Sequence, residues 1–118
     1  MQENYSSFKQ GDIVIMKMQF STFEEAKIRP ALVISSNTYN QHGEDIILLK
    51  ITSHGKDRPY SVPIAQNDLV SGTLNLDSFV KADFPITVKK DKLFKTIGKV
   101  SPKIVQQTKE KLKQILEL

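Results

Sequence analysis

The sequence contains no cysteine and no tryptophan. Without cysteine there is no disulfide framework and no thiolate metal site. Histidine is nearly as scarce: His42 and His54 are the only two, which argues against a dedicated metal centre. No apolar run approaches the ~20 residues of a membrane span, and the polar N-terminus lacks the apolar core of a signal peptide. The expected address is therefore the cytoplasm, with no membrane partner. The most informative scarcity is arginine. Of 17 basic residues only Arg29 and Arg58 are arginine, and the rest are lysine.

The chain of 118 residues suits one domain with a proper core, taken as residues 1–118 with a loose lead-in over 1–7. A net charge of +4 favours a polyanionic partner, either nucleic acid or an acidic protein. Lysine-rich solubility gives the same balance, so charge alone does not choose between them.

Apolar residues at Val14, Met16, Met18 and Phe20 alternate with polar ones, which predicts a half-buried strand from Ile13 to Phe20. Residues 21–27 read as a polar loop that joins two strands in a hairpin. Ala31 to Ile34 is a short continuous apolar run, as in a strand buried on both faces. A helical turn is expected at residues 37–41, a strand at 45–51 and a polar loop at 52–57. Tyr60, Val62 and Ile64 alternate around Pro63, which cannot donate to a ladder, so this strand belongs at a sheet edge. Residues 66–72 are turn-rich. A strand is predicted over 77–88, with a bulge or break just after Asp83 where Pro85 stands. Ser101 and Pro102 open a helix as N-cap and first helical residue. Ile104, Val105, Thr108, Leu112, Ile115 and Leu116 make its apolar stripe. Five to seven short strands closed by one C-terminal helix predict a small, strongly bent barrel.

Arg29 sits directly before Pro30 and a buried strand. Its planar, permanently charged fork fits phosphate oxygens better than lysine does. An ordinary surface arginine at a strand start reads the same way in isolation. Other polar groups cluster at predicted strand ends: Glu24 and Glu25 in the first loop, Thr52 and Ser53 after the third strand, Lys81 and Asp83 on the late one. A carboxylate, a guanidinium, an ammonium and a hydroxyl suit phosphodiester cleavage by an internal 2′-hydroxyl. A base takes the 2′-proton, cations stabilise the phosphorane, and a donor protonates the leaving 5′-oxygen. His42 and His54 read as loop residues.

Gly11-Asp12-Ile13-Val14, Arg29-Pro30-Ala31-Leu32-Val33-Ile34, Ile51-Thr52-Ser53 and Phe79-Val80-Lys81-Ala82-Asp83 occur in that order. With Ile97-Gly98-Lys99-Val100-Ser101-Pro102 and the closing helix, the ordered set resembles the MazF/PemK/Kid toxins of type II toxin–antitoxin modules. The resemblance implies a mainly β, SH3-like barrel of the CcdB/PemK plasmid-maintenance type with a C-terminal helix. It implies a homodimeric, metal-independent, sequence-specific mRNA endoribonuclease that needs no cofactor and leaves a 2′,3′-cyclic phosphate. It also implies an acidic antitoxin partner, and promoter DNA bound through the toxin–antitoxin complex. The family's catalytic arginine and threonine fall on Arg29 and Thr52, and the Kid branch's basic aspartate falls on Asp83. Expected RNA contacts are Lys81, Ser53, Glu24 and Lys27. Lys81 stands where Kid relatives have arginine, keeping the charge without the fork. Phe84 and Ile86 replace a frequent glutamine and a basic residue. Two other readings share this fold: a non-enzymatic, CcdB-like toxin that binds gyrase, and a degenerate RNA- or DNA-binding module.

Overall fold

The structure, a computed structural model, describes residues 8–19, 21–23 and 25–118. Phe20, Glu24 and the 1–7 lead-in therefore lie outside the described residues. The strands are β1 (Asp12–Met18), β2 (Lys27–Val33), β3 (Asp45–Thr52), β4 (Ser61–Ile64), β5 (Leu69–Gly72), β6 (Ser78–Lys89) and β7 (Leu93–Val100). The described residues also form two α-helices, α1 (Asn37–Gln41) and the C-terminal α2 (Pro102–Leu116), and two short 3-10 turns at Gln66–Asp68 and Lys90–Lys92. All described strand pairs are antiparallel, in the order β4-β6-β3-β2-β1-β7-β5.

The sheet carries a core on each side. Ile13, Leu32, Leu49, Ile51, Val80 and Val100 pack with Ile104 of α2. Val14, Met16, Ala31, Val33, Ile46, Leu48 and Leu93 form the second cluster, which Phe8, Ile86 and Val88 partly cover. Helix α2 touches β4, β6 and β7. In a flat sheet β4 and β7 would be five strand spacings apart, about 24 Å at ~4.8 Å each, more than twice the ~10 Å width of a helix. The sheet therefore curls around its helix, giving the bent half-barrel that the run of short strands predicts.

Ala31, Leu32 and Val33 are completely buried and so covered on both faces, whereas Ile34, the last residue of the predicted run, is only partly buried and lies past the strand end. β4 pairs only with β6 and lies at the sheet edge, as Pro63 requires. β1 ends at Met18, and it is more central than its alternation suggests, with Ile13 and Val14 both at 0% exposure. Two elements go beyond the sequence reading. Residues 69–72 form β5 rather than turn alone, and residues 93–100 form a full strand. β5 is legible only through its partner, because it pairs with β7 at the opposite edge. In α2, Ile104 and Thr108 are buried, but Leu116 is 60% exposed, so the predicted stripe runs past the end of the core. Ser101 does occupy the N-cap, although its side chain makes no capping bond; its carbonyl accepts from the N–H groups of Ile104 and Val105.

Polar pins fix the turns. Gly11 has φ +95°, donates its N–H to Val33 O at 2.8 Å and accepts from Val100 N at 3.0 Å. Asp12 accepts from the Lys9 N–H at 2.9 Å and faces Lys99 Nζ at 3.5 Å. Asn40 is fully buried: its side chain donates to Ser35 O at 3.1 Å and accepts from the Ser35 hydroxyl. That hydroxyl also accepts from the Ile47 N–H, so α1 is tied to the chain just past β2 and to β3.

Asn40→Ala removes partners from a buried hydroxyl and a buried carbonyl, and should destabilise the fold by about 1–3 kcal/mol. The check is a lower urea midpoint at unchanged slope. Gly72 has φ +83°, and a Cβ there would lie 2.1 Å from Ile97 O and 2.4 Å from Gly98 Cα. Gly72→Ala should therefore weaken the β5–β7 pairing, with a loss above ~1 kcal/mol in the same unfolding measurement. An unchanged midpoint would contradict the contact.

Candidate active site

The β2–β3 ladder pairs Val33 with Leu48, Leu32 with Leu49 and Ala31 with Lys50, and goes no further. Yet β2 extends back to Lys27 and β3 on to Thr52. The residue beyond the last pair is Pro30, whose ring nitrogen has no hydrogen to donate. The strand ends part, and a cleft of about 320 Å³ opens between them. Arg29 and Pro30 line one wall; Ile51, Thr52, Ser53 and His54 line the other. The segment 73–76 with Ser78, Ile15 and Ile97 completes the lining. Continuing the ladder's register by two residues would set Arg29 opposite Thr52, so pleat alternation turns both toward one side of the sheet.

Arg29 is half-buried, and its Nε is fully so. A cation partly withdrawn from water acts on an anion more strongly than one in bulk solvent. Thr52 Oγ1 accepts from the His54 backbone N–H at 3.1 Å. A hydroxyl that accepts there keeps its own hydrogen for a phosphate oxygen. Ser53 and His54 are exposed. Behind them Gly55 is buried against Phe79: a Cβ on Gly55 would stand 2.5 Å from Phe79 Cβ. Phe79 is also the strand partner of Thr52. The missing side chain thus lets the loop lie flat on β6. The loop returns through Arg58 N–H to Gly55 O and Ser61 N–H to Arg58 O, both at 3.2 Å, with Asp57 in the left-handed region at φ 64°.

The two remaining groups come from β6. Its register against β3 shifts between Leu49, which faces Pro85, and Ile51, which faces Val80. This is the irregularity that Pro85 predicts. Lys81 pairs across to Ser61 of β4, and its Nζ lies 3.7 Å from Asp83 Oδ1. Both side chains are partly exposed, so this ion pair contributes little stability. Neither residue lines the cleft. Lys81 does share its sheet face with Phe79 and hence with Thr52.

The same alternation puts Lys27 beside Arg29 and Lys50 beside Thr52. Lys27, Arg29, Lys50 and Lys81 make a row of cations across three neighbouring strands. Lys50, which no sequence motif marks, lies over the Phe84 ring at 5.1 Å from its centroid, a cation–π contact. Its signal was a lone lysine in an apolar strand two residues before Thr52. His54 is the loop residue that the sequence predicts, and its loop forms a wall of the cleft. Glu24 lies outside the described residues, and Glu25 is exposed. Among the described residues no group of three or more histidine, aspartate or glutamate side chains is placed to hold a metal ion.

Residues 9–116 match the family model for the PemK-like, MazF-like toxin of type II toxin–antitoxin systems. Endoribonuclease MazF1 of Mycobacterium bovis and endoribonuclease MazF4 of Mycobacterium tuberculosis are each 28% identical over 74 residues, or 63% of this chain. The matched stretch spans 65% of the length of those relatives. Among solved structures, MazE–MazF from Deinococcus radiodurans superposes with a TM-score of 0.76 at 19% identity, covering 94% of this chain and 97% of that one. A mycobacterial endoribonuclease in complex with its cognate antitoxin superposes with a TM-score of 0.72 at 23% identity, covering 95% of each chain. These superpositions establish a shared fold. With the family model spanning all seven strands and the C-terminal helix up to its last residue, the chain belongs to the PemK-like, MazF-like toxins of type II toxin–antitoxin systems.

Proposed function

We propose that this toxin is a sequence-specific endoribonuclease that cuts single-stranded mRNA without a metal and leaves a 2′,3′-cyclic phosphate. The observation that carries the reading is the cleft that Arg29 and Thr52 both line, where the β2–β3 ladder stops. Arg29 stabilises the charge that builds on the phosphorane. Thr52 donates its hydroxyl hydrogen to a phosphate oxygen. Asp83, oriented by Lys81, takes the 2′-hydroxyl proton once RNA bridges the cleft and β6. Lys81, Lys27, Ser53 and Glu24 contact the RNA, and the cation row that includes Lys50 supplies the electrostatic track along its backbone. The relatives named as endoribonucleases support this activity over gyrase binding.

The partners follow the same reading. The chain acts as one toxin domain in the cytoplasm and pairs as a homodimer. An acidic antitoxin covers the basic face, and the joint complex binds promoter DNA. Among the described residues no helix is long and apolar enough to cross a membrane.

In EDTA, the purified protein should cut single-stranded RNA at a defined sequence, mapped from the 5′ ends of the products. Arg29→Ala should slow cutting about 10²–10³-fold, the usual effect of losing one transition-state donor, while the unfolding midpoint stays near that of the unaltered protein. Arg29→Lys should recover only part of the rate, because a point charge replaces a fork. Equal cutting by the unaltered protein and Arg29→Ala would point to a contaminating nuclease and end the proposal. Asp83→Asn should lower the rate by about 10²–10⁴-fold with RNA binding retained, as expected for a base; a normal rate would remove Asp83 from that role.

A further inference from the structure

Attack by a 2′-oxygen moves two protons. One leaves the 2′-hydroxyl, and one must reach the 5′-oxygen as its bond to phosphorus breaks. Asp83 serves the first transfer. Within the cleft the second has few sources. Arg29 is a guanidinium, which does not give up its proton in proteins. Thr52, Ser53, Thr73 and Ser78 offer only weakly acidic hydroxyls, and the remaining lining residues are apolar or amide. Among the described residues lining the cleft, His54 alone carries a side chain of the kind that exchanges protons near neutral pH.

Its placement fits such a task. His54 stands two residues beyond Thr52, and its backbone N–H is bonded to Thr52 Oγ1 at 3.1 Å, so the two keep a fixed relation. Gly55 seats the loop on Phe79, which is paired with Thr52. The exposed imidazole therefore projects from an anchored backbone at the cleft wall. Its charged neighbours are Arg29 on the opposite wall, from β2, and Lys56, Asp57 and Arg58 in its own loop. The segment 73–76 with Ser78, Ile15 and Ile97 brings no charge to the cleft lining.

We infer that His54 is a catalytic residue of this cleft, the general acid that protonates the departing 5′-oxygen; this rests on the ribonuclease reading above. The 2′-oxygen passes its proton to the Asp83 carboxylate and bonds to phosphorus. The P–O5′ electron pair goes to the 5′-oxygen, which takes a proton from the His54 imidazolium. The products are a 2′,3′-cyclic phosphate and a 5′-hydroxyl. Solvent water then returns a proton to His54 and removes one from Asp83.

The test compares two RNA oligonucleotides that contain the mapped cleavage sequence, one ordinary and one with sulfur replacing the bridging 5′-oxygen at the scissile phosphate. A thiolate leaves without being protonated, so it has no need of the acid. His54→Ala should cut the ordinary RNA about 10²–10⁴-fold more slowly than the unaltered protein, the range of general acid catalysis. On the sulfur substrate it should run near the unaltered rate, whereas Arg29→Ala should be slow on both. Because His54 is exposed, the variant should keep the unfolding midpoint, which separates chemistry from folding. Normal cutting of ordinary RNA by His54→Ala would overturn the assignment and leave the ribonuclease reading standing. So would equal slowing on both substrates, which marks a merely structural loop residue. If the unaltered protein cuts neither substrate, the ribonuclease reading falls and the acid with it.

Discussion

Hydrogen bonding between β2 and β3 ends at Ala31 and Lys50, although both strands run on. Continuous pairing would have zipped Arg29 against Thr52 on a closed sheet surface. Because the next residue is a proline, the two strand ends diverge and expose a wedge of space. That wedge is the cleft. Its lining includes two residues that would otherwise be ladder neighbours, a guanidinium and a hydroxyl, which now stand on opposite walls.

The remainder of the fold holds this wedge open without letting it collapse. Below it, Ala31, Leu32 and Val33 are clamped between two cores on opposite faces of the sheet. Above it, the loop after β3 is fastened by Gly55 on Phe79 and by the Asp57 turn. The buried Ser35–Asn40 pair joins the far ends of β2 and β3 through α1, so these strands are braced where the ladder is intact and free to part where it stops. β6 carries the second interruption. Its register shift near Pro85 lets Phe84 turn under Lys50 and puts Lys81 and Asp83 on the strand beyond Thr52. Two prolines, one on each side of β3, thereby release two short stretches of backbone around one strand end.

Charge is distributed to match. The cations on β2, β3 and β6 lie on one sheet face and in successive strands, which turns a modest net charge into a directed field. The carboxylate that joins them, Asp83, is already held by Lys81 and sits outside the cleft proper. An extended polyanion bridging the cleft and β6 would span both. A small anion would meet only the Arg29 half.

Local sequence rules determined much of this. Period-two alternation, the Ala31–Val33 run, Pro63 at an edge and the Ser101-Pro102 helix start are all set within a few residues, where backbone sterics and burial of the nearest side chains dominate. Arg29 and Thr52, which the family resemblance singles out, both line the cleft. Other features needed the third dimension. β5 has little apolar pattern of its own and exists because β7 offers it an edge. Leu116 fits a helical stripe, but the core ends before it reaches the surface it would cover. His54 and Lys50 carry no motif; the curl of the sheet and the seating of Gly55 bring one to the cleft wall and the other to the cation row. The sequence by itself determined which residues have suitable chemistry and which strands carry them. Pro30 marks where the β2–β3 ladder can stop, but only the tertiary structure decided which of those residues face one another across the gap, because that depends on packing between segments far apart in the chain.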